Sequence, residues 1–177
     1  MKNKYRWLIF IILSINVIYS CNLSRDHVQW YEGNEGLIEK AREEMNISPK
    51  EYADIHILGS VDVDNKMLAW FKTDESFDQR YCALEFRIDE KDPSRFRFVK
   101  NCNAKYIEQD VYICHWKLDE DNTIYSLAVN NETYGGKIQF EYADGRVQEL
   151  EIVKDGFPLY ASDLNPVSYE YVGIYGS

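Results

Sequence analysis

The chain has 177 residues, 20 Lys and Arg against 30 Asp and Glu, and a net charge of −10 at pH 7. That length suits one domain, and 45% hydrophobic residues with only 4 Pro and 9 Gly exclude disordered, collagen-like and linker-like material. The acidic balance argues against nucleic-acid phosphates as a partner and against electrostatic docking on anionic lipid.

Lys2, Lys4 and Arg6 open the chain, and Trp7 to Tyr19 follow without a charge. This run is shorter than the about 20 apolar residues that cross a bilayer. It has the size of a signal-peptide core. It ends in Ile18-Tyr19-Ser20-Cys21. Ile18, Ser20 and Cys21 fit the order aliphatic, variable, small, Cys, so the segment resembles a bacterial lipoprotein signal. The resemblance implies lipidation of the Cys21 thiol, cleavage before it and acylation of the new amino group. Several acyl chains, palmitate among them, would then anchor the protein to the membrane far more firmly than one. A secretory signal cut after Ser20 and an uncleaved signal anchor are the other two readings. On the lipoprotein reading, residues 1–20 are the signal, 21–33 a tether and 34–177 a single α+β domain on the extracellular or periplasmic side.

The tether ends at Trp30 and Tyr31. Asn34 is placed to cap a helix over 35–46, whose narrow apolar stripe is Leu37, Ile38, Ala41 and Met45. Ser48-Pro49-Lys50-Glu51 has the form of a capping box with Pro in the first turn, which predicts one or two further helical turns. From Ala53 on, the pattern is of strands: DIHILGSVDV, MLAWFKT, RYCALEFRI, RFRFVK, DVYICHWKL, TIYSLAVNN, KIQFEY, RVQELEIV, FPLYA and SYEYVGIY. Polar turns separate them. Tyr142-Ala143-Asp144-Gly145-Arg146 reads as a hairpin with a three-residue loop and Gly145 at positive φ, because Ile138, Phe140 and Tyr142 then share a face with Leu150 and Ile152. The predicted class is α+β: one N-terminal helix packed on an antiparallel β-meander of about nine strands, closing as a sandwich or an open barrel. The helix followed by this meander is similar to uncharacterised surface lipoproteins of Gram-positive bacteria, chiefly over 110–156, where VYICHWKLDEDNTIYSLAVNN leads into KIQFEYADGRVQELEIVKDG. Such families carry no assigned activity, so the resemblance implies no catalytic residues.

Beyond Cys21 stand Cys82, Cys102 and Cys114. Outside the cytoplasm disulfides persist, and an odd number of thiols leaves one over. Folding 81–102 as a hairpin centred on Asp92 sets Ile88 against Phe96, Phe86 against Phe98, Leu84 against Lys100 and Cys82 against Cys102. Cys82–Cys102 is therefore the first disulfide candidate. Pairing 95–102 with 111–118 instead offers Cys102–Cys114, and three buried free thiols are the third outcome. A three-thiolate zinc site lacks both the C-x₂-C spacing and a His on the Cys114 face, so no metal site is expected.

Signatures for chemistry are sparse. His27, His56 and His115 form no metal or protease motif. A Cys114–His115 dyad fails because neighbouring strand residues point to opposite faces. Asp62-Val63-Asp64-Asn65, Asp74-Glu75, Asp89-Glu90 and Asp119-Glu120-Asp121-Asn122 sit at predicted turns, and none has the twelve-residue calcium loop. Among 14 Tyr, Tyr169, Tyr171 and Tyr175 are the candidates for an exposed aromatic binding patch. The expectation is a non-catalytic, lipid-anchored extracytoplasmic protein without a cofactor. It would bind a protein or glycan partner or belong to an envelope assembly. A carboxylate-based hydrolase of envelope polymers and a calcium-dependent adhesion or sensing module are the alternatives.

Overall fold

The computed structural model describes residues 29–48, 53–74, 80–107, 111–118, 123–129, 136–152, 159–162 and 166–173. In chain order these form β1 (Tyr31–Glu32), α1 (Gly33–Glu44), β2 (Ile55–Val63), β3 (Lys66–Thr73), β4 (Tyr81–Ile88), β5 (Arg95–Asn101), β6 (Lys105–Tyr106), β7 (Val111–Lys117), β8 (Thr123–Val129), β9 (Gly136–Tyr142), β10 (Val147–Ile152), β11 (Leu159–Ser162) and β12 (Pro166–Gly173). The expected β-rich chain with one helix and antiparallel pairing is found. The single meander of about nine strands is not. The strands divide into three sheets, ordered β1-β5-β4-β3-β2, β11-β8-β7-β6 and β10-β9-β12.

The three sheets stack, and side-chain alternation decides how. On β3 and β4 the residues Met67, Ala69, Phe71, Cys82, Leu84 and Phe86 face one way and pack under Leu37 and Ala41 of α1 and its C-cap Met45. Their neighbours Leu68, Trp70 and Ala83 face the other way, onto Cys114, Trp116, Ile124 and Ala128 of the four-stranded sheet. The opposite face of that sheet, with Val111, Ile113, Tyr125 and Leu127, meets Ile138, Phe140, Ile152 and Tyr171 of the three-stranded sheet. The order of layers is thus helix, five strands, four strands, three strands. Sheets covered on both faces need apolar residues without alternation. This accounts for the unbroken buried run 67–71 on β3 and the buried run 123–128 on β8. By contrast β9 alternates, with Ile138 and Phe140 buried and Lys137, Gln139 and Glu141 turned outward.

Three polar contacts pin the inner layers. The Trp70 indole N–H donates to Ser126 Oγ across the interface between the five- and four-stranded sheets. Lys66 Nζ donates to the Leu118 carbonyl at 2.6 Å. Buried Glu85 takes Lys100 Nζ at 3.3 Å from its cross-strand partner position. Trp116, also fully buried, has no acceptor for its indole N–H among the described residues.

The helix begins two residues earlier than Asn34 capping predicts. Tyr31 and Glu32 pair with Phe96 and Arg95 as a fifth strand. The chain then turns straight out of that strand through Gly33, at φ +58° with its N–H on the Ser94 carbonyl at 2.9 Å. Only glycine takes that backbone freely, and it leaves Asn34 inside the first turn. Lys40 fastens the helix further, pairing with Glu43 and Glu44 while lying 4.2 Å from the centre of the Phe98 ring. The helical turns expected after Ser48 fall on 49–52, outside the described residues.

Two hairpins test the register arguments. Between β9 and β10, Tyr142 N–H bonds the Arg146 carbonyl at 2.9 Å, Gly145 has φ +81°, and Leu150 sits opposite Ile138, all as expected. Between β4 and β5 the expected pairs Ile88–Phe96 and Phe86–Phe98 form. A bulge between Glu85 and Phe86 then shifts the register by one, so that Glu85 meets Lys100 and Leu84 meets Asn101. Cys102 consequently bonds across to Ala83, N–H to carbonyl at 2.8 Å.

Replacing each inner tryptophan separates packing from hydrogen bonding. Trp70→Phe leaves Ser126 Oγ without its donor as well as a cavity, and is expected to cost about 2–4 kcal/mol. Trp116→Phe removes an N–H with no acceptor, and should cost less by about 1 kcal/mol or more. Denaturant midpoints of the two variants check this, and equal losses would contradict it. A second variant, Gly136→Ala, puts a Cβ 2.7–2.9 Å from atoms of the Tyr171 ring. It should lower stability by about 1–3 kcal/mol through displacement of that ring.

Candidate functional site

Where the sheets meet, a cavity of about 370 Å³ opens to the surface. Four separate stretches of chain build it. Cys102 and Asn103 come from the link between the five- and four-stranded sheets, and Lys105 starts β6. Ile113 and His115 lie on β7, Tyr125 on β8 and Tyr169 on β12. The link turns sharply because Asn103 takes φ +51° and donates its N–H to Asn101 Oδ1 at 2.9 Å. Asparagine tolerates this conformation better than most residues.

The aromatic wall follows from strand register. His115 is the cross-strand partner of Tyr125, so their rings stack at 5.0 Å with only 3° between planes. Tyr125 in turn leans on Phe140 at 5.8 Å, and Phe140 on Tyr169 at 6.5 Å. Tyr169 remains 39% exposed. Of the three tyrosines expected in an aromatic patch, it lines the cavity, Tyr171 is buried in the core below, and Tyr175 lies outside the described residues.

Charge is distributed unevenly. The outward face of the three-stranded sheet carries Glu141, Glu149, Glu151 and Glu170, all exposed. The cavity is lined by one lysine, Lys105, with Lys117 and Lys100 near enough to act on His115. Partial burial, then Lys117, Lys100 and Lys105, hold the His115 imidazole below its ordinary value of 6.5. Burial and the nearby Tyr169 and Tyr142 push the Tyr125 hydroxyl up, so it stays a neutral donor. No carboxylate lines the cavity among the described residues, and no three His, Cys, Asp or Glu gather there into a metal-holding group. His56 stands exposed on β2, and His27 lies outside the described residues.

The cysteines sort by face. Cys82 sits beneath α1 in the first core, where burial and then Glu44 push its thiol up. The bulged register sends Cys102 to the other face, into the inner core that contains Cys114. The pairing Cys82–Cys102 expected from an unbulged hairpin is therefore corrected: the two side chains lie on opposite faces of the five-stranded sheet. The neighbouring Cys114 thiol, with Lys100, holds Cys102 below the usual thiol range, while Cys102 and burial push Cys114 above it. All three are free thiols here. The acidic turn 119–122 and the anchor position Cys21 lie outside the described residues.

A second cleft of about 330 Å³ opens beside the C-terminal end of α1, lined by Glu44, Arg80, Tyr81 and Asn101 among others. Its polar groups are engaged in holding the helix: Arg80 reaches the Met45 carbonyl at 3.1 Å, and Asn101 reaches Glu44 at 3.4 Å.

No protein-family model matches the chain, no curated protein matches it, and no solved structure matches its fold.

His115 supplies a readout of the cavity. Its folded value lies below its unfolded one, so between the two the unfolded chain holds the proton that the folded chain lacks. Stability contributed at this residue is therefore complete at and above the unfolded value and declines as pH falls through the folded one. NMR titration should place His115 below 6.5, rising toward it as added salt screens the three lysines. His115→Gln should lose less stability than the parent between pH 7 and pH 5. A His115 that titrates above 6.5 would contradict the cationic setting.

Proposed function

We propose that this chain is a non-catalytic, lipid-anchored extracytoplasmic binding protein that takes an acidic glycan fragment in the cavity of His115, Tyr125 and Tyr169. The observation that carries the reading is that cavity: two tyrosines, His115 and Lys105 in a chain that is otherwise acidic. Tyrosine offers an apolar face to a ring and a hydroxyl to its polar edge. Lys105, with Lys100 and Lys117 close to His115, supplies a positive potential that draws a carboxylate-bearing ligand. Asn103 adds amide donors and an acceptor at the rim. The anchor reading rests on Lys2, Lys4 and Arg6, the uncharged run after them and Ile18-Tyr19-Ser20-Cys21.

Two measurements test the two halves. Native protein from a membrane fraction should have the mass of a chain starting at Cys21 plus acyl groups. A soluble chain without acyl mass would overturn the anchor. The detergent-solubilised protein should bind a galacturonate oligomer in calorimetry and bind an uncharged oligosaccharide of equal length more weakly. Lys105→Gln or Tyr169→Ala should weaken the acidic ligand by about tenfold, the value of one lost charged or stacking contact. Equal affinity for both oligomers, or none for either, would overturn the ligand class, and shortening of the oligomer would overturn the non-catalytic reading.

A further inference from the structure

We propose that Cys102 and Cys114 are oxidised to a disulfide that clamps the link between the five- and four-stranded sheets onto β7 at the wall of the cavity, leaving Cys82 as the free thiol. The placement follows from register. The bulge at Glu85–Phe86 turns Cys102 toward the face of Ala83, where it bonds to the Ala83 carbonyl. Cys114, opposite Ser126 on β7, points from the facing sheet into the same core. Both side chains thus belong to the same cluster between the two sheets. Cys82 is excluded because it lies under α1, on the far side of the five-stranded sheet.

Accessibility assigns the two sulfurs different parts. Cys102 is partly exposed and lines the cavity, whereas Cys114 is 1% exposed. The Cys114 S–H and Lys100 also stabilise Cys102 as the thiolate, the attacking form. The oxidant is the disulfide of an extracytoplasmic thiol–disulfide oxidoreductase, or of oxidised glutathione in vitro. Cys102 thiolate attacks one sulfur of that disulfide, which leaves a mixed disulfide and one released thiolate. Cys114 then attacks the Cys102 sulfur, its proton passing to the second thiolate as that thiolate is expelled. Two protons and two electrons leave the protein, and the donor disulfide becomes two thiols.

The inference rests on the extracytoplasmic reading for its occurrence in the cell, but the chemistry is tested apart from it. Native protein is denatured without reductant, alkylated and mapped. The acyl mass on Cys21 reads the location independently of the thiols. The expected map has a Cys102–Cys114 linked peptide and one label, on Cys82. Cys82→Ser should keep the linked peptide and carry no label among these three positions. Purified reduced protein should form the same link with oxidised glutathione, and its melting temperature should rise by roughly 5–10 °C. A Cys82–Cys102 peptide, or three labels that persist after oxidised glutathione, or glutathione retained on Cys102, would each overturn the proposal. Link formation in vitro with three labels in the acylated native protein would overturn the cellular disulfide while leaving the anchor standing.

Discussion

The four-stranded sheet has no polar face to give to water over its central strands, and everything else is arranged around that constraint. Its β7 and β8 carry Trp116, Cys114 and Ile124 on one side and Val111, Ile113 and Leu127 on the other. A sheet apolar on both faces must be covered twice. The five-stranded sheet covers one face, with Trp70 donating to Ser126 between them, and the three-stranded sheet covers the other. The helix then covers the outer face of the five-stranded sheet. Among the described residues only the last sheet ends in solvent, and there Lys137, Gln139 and Glu149 join in exposed pairs.

The cavity is a consequence of the same stacking. β6 ends after two residues, so the edge of the four-stranded sheet near Ile113 is only briefly paired. Cys102 and Asn103 cross from one sheet to the next just there, and Tyr169 approaches from the third. Three layers that meet imperfectly leave a recess whose walls come from all of them. Lys105 lines it, and Lys100 and Lys117 stand near its His115, while the exposed sheet face carries glutamates.

Local patterns in the sequence carried the strands well. Each of the ten segments read from alternation or apolar runs contains a strand, and the Ala143-Asp144-Gly145 loop was legible because side-chain period and loop length must agree. Partner choice was not legible. DVYICHWKL alternates just as RFRFVK does, and nothing local says that β7 leaves β5 for β8. The unbroken apolar character of MLAWF hinted at burial on both faces, but the covering sheets lie far along the chain. A single bulge at Val99, invisible in the letters RFRFVK, moved Cys102 from the Cys82 face to the Cys114 face. Of the site, Tyr169 was singled out for its aromatic character. His115 was noted only to be set aside beside Cys114, and Lys105 carried no signal at all. Cavity residues drawn from distant segments are a tertiary fact.

The central claim is that the two-sided core of β7 and β8 unites the layers into one cooperative unit. Native-state hydrogen exchange tests it most directly. The account predicts that amides of β3, β4, β7 and β8 share the highest protection and exchange together through global unfolding. Amides of β7 and β8 that open well before those of β3 and β4 would contradict it, and would mean that the five-stranded sheet with its helix folds independently of the rest.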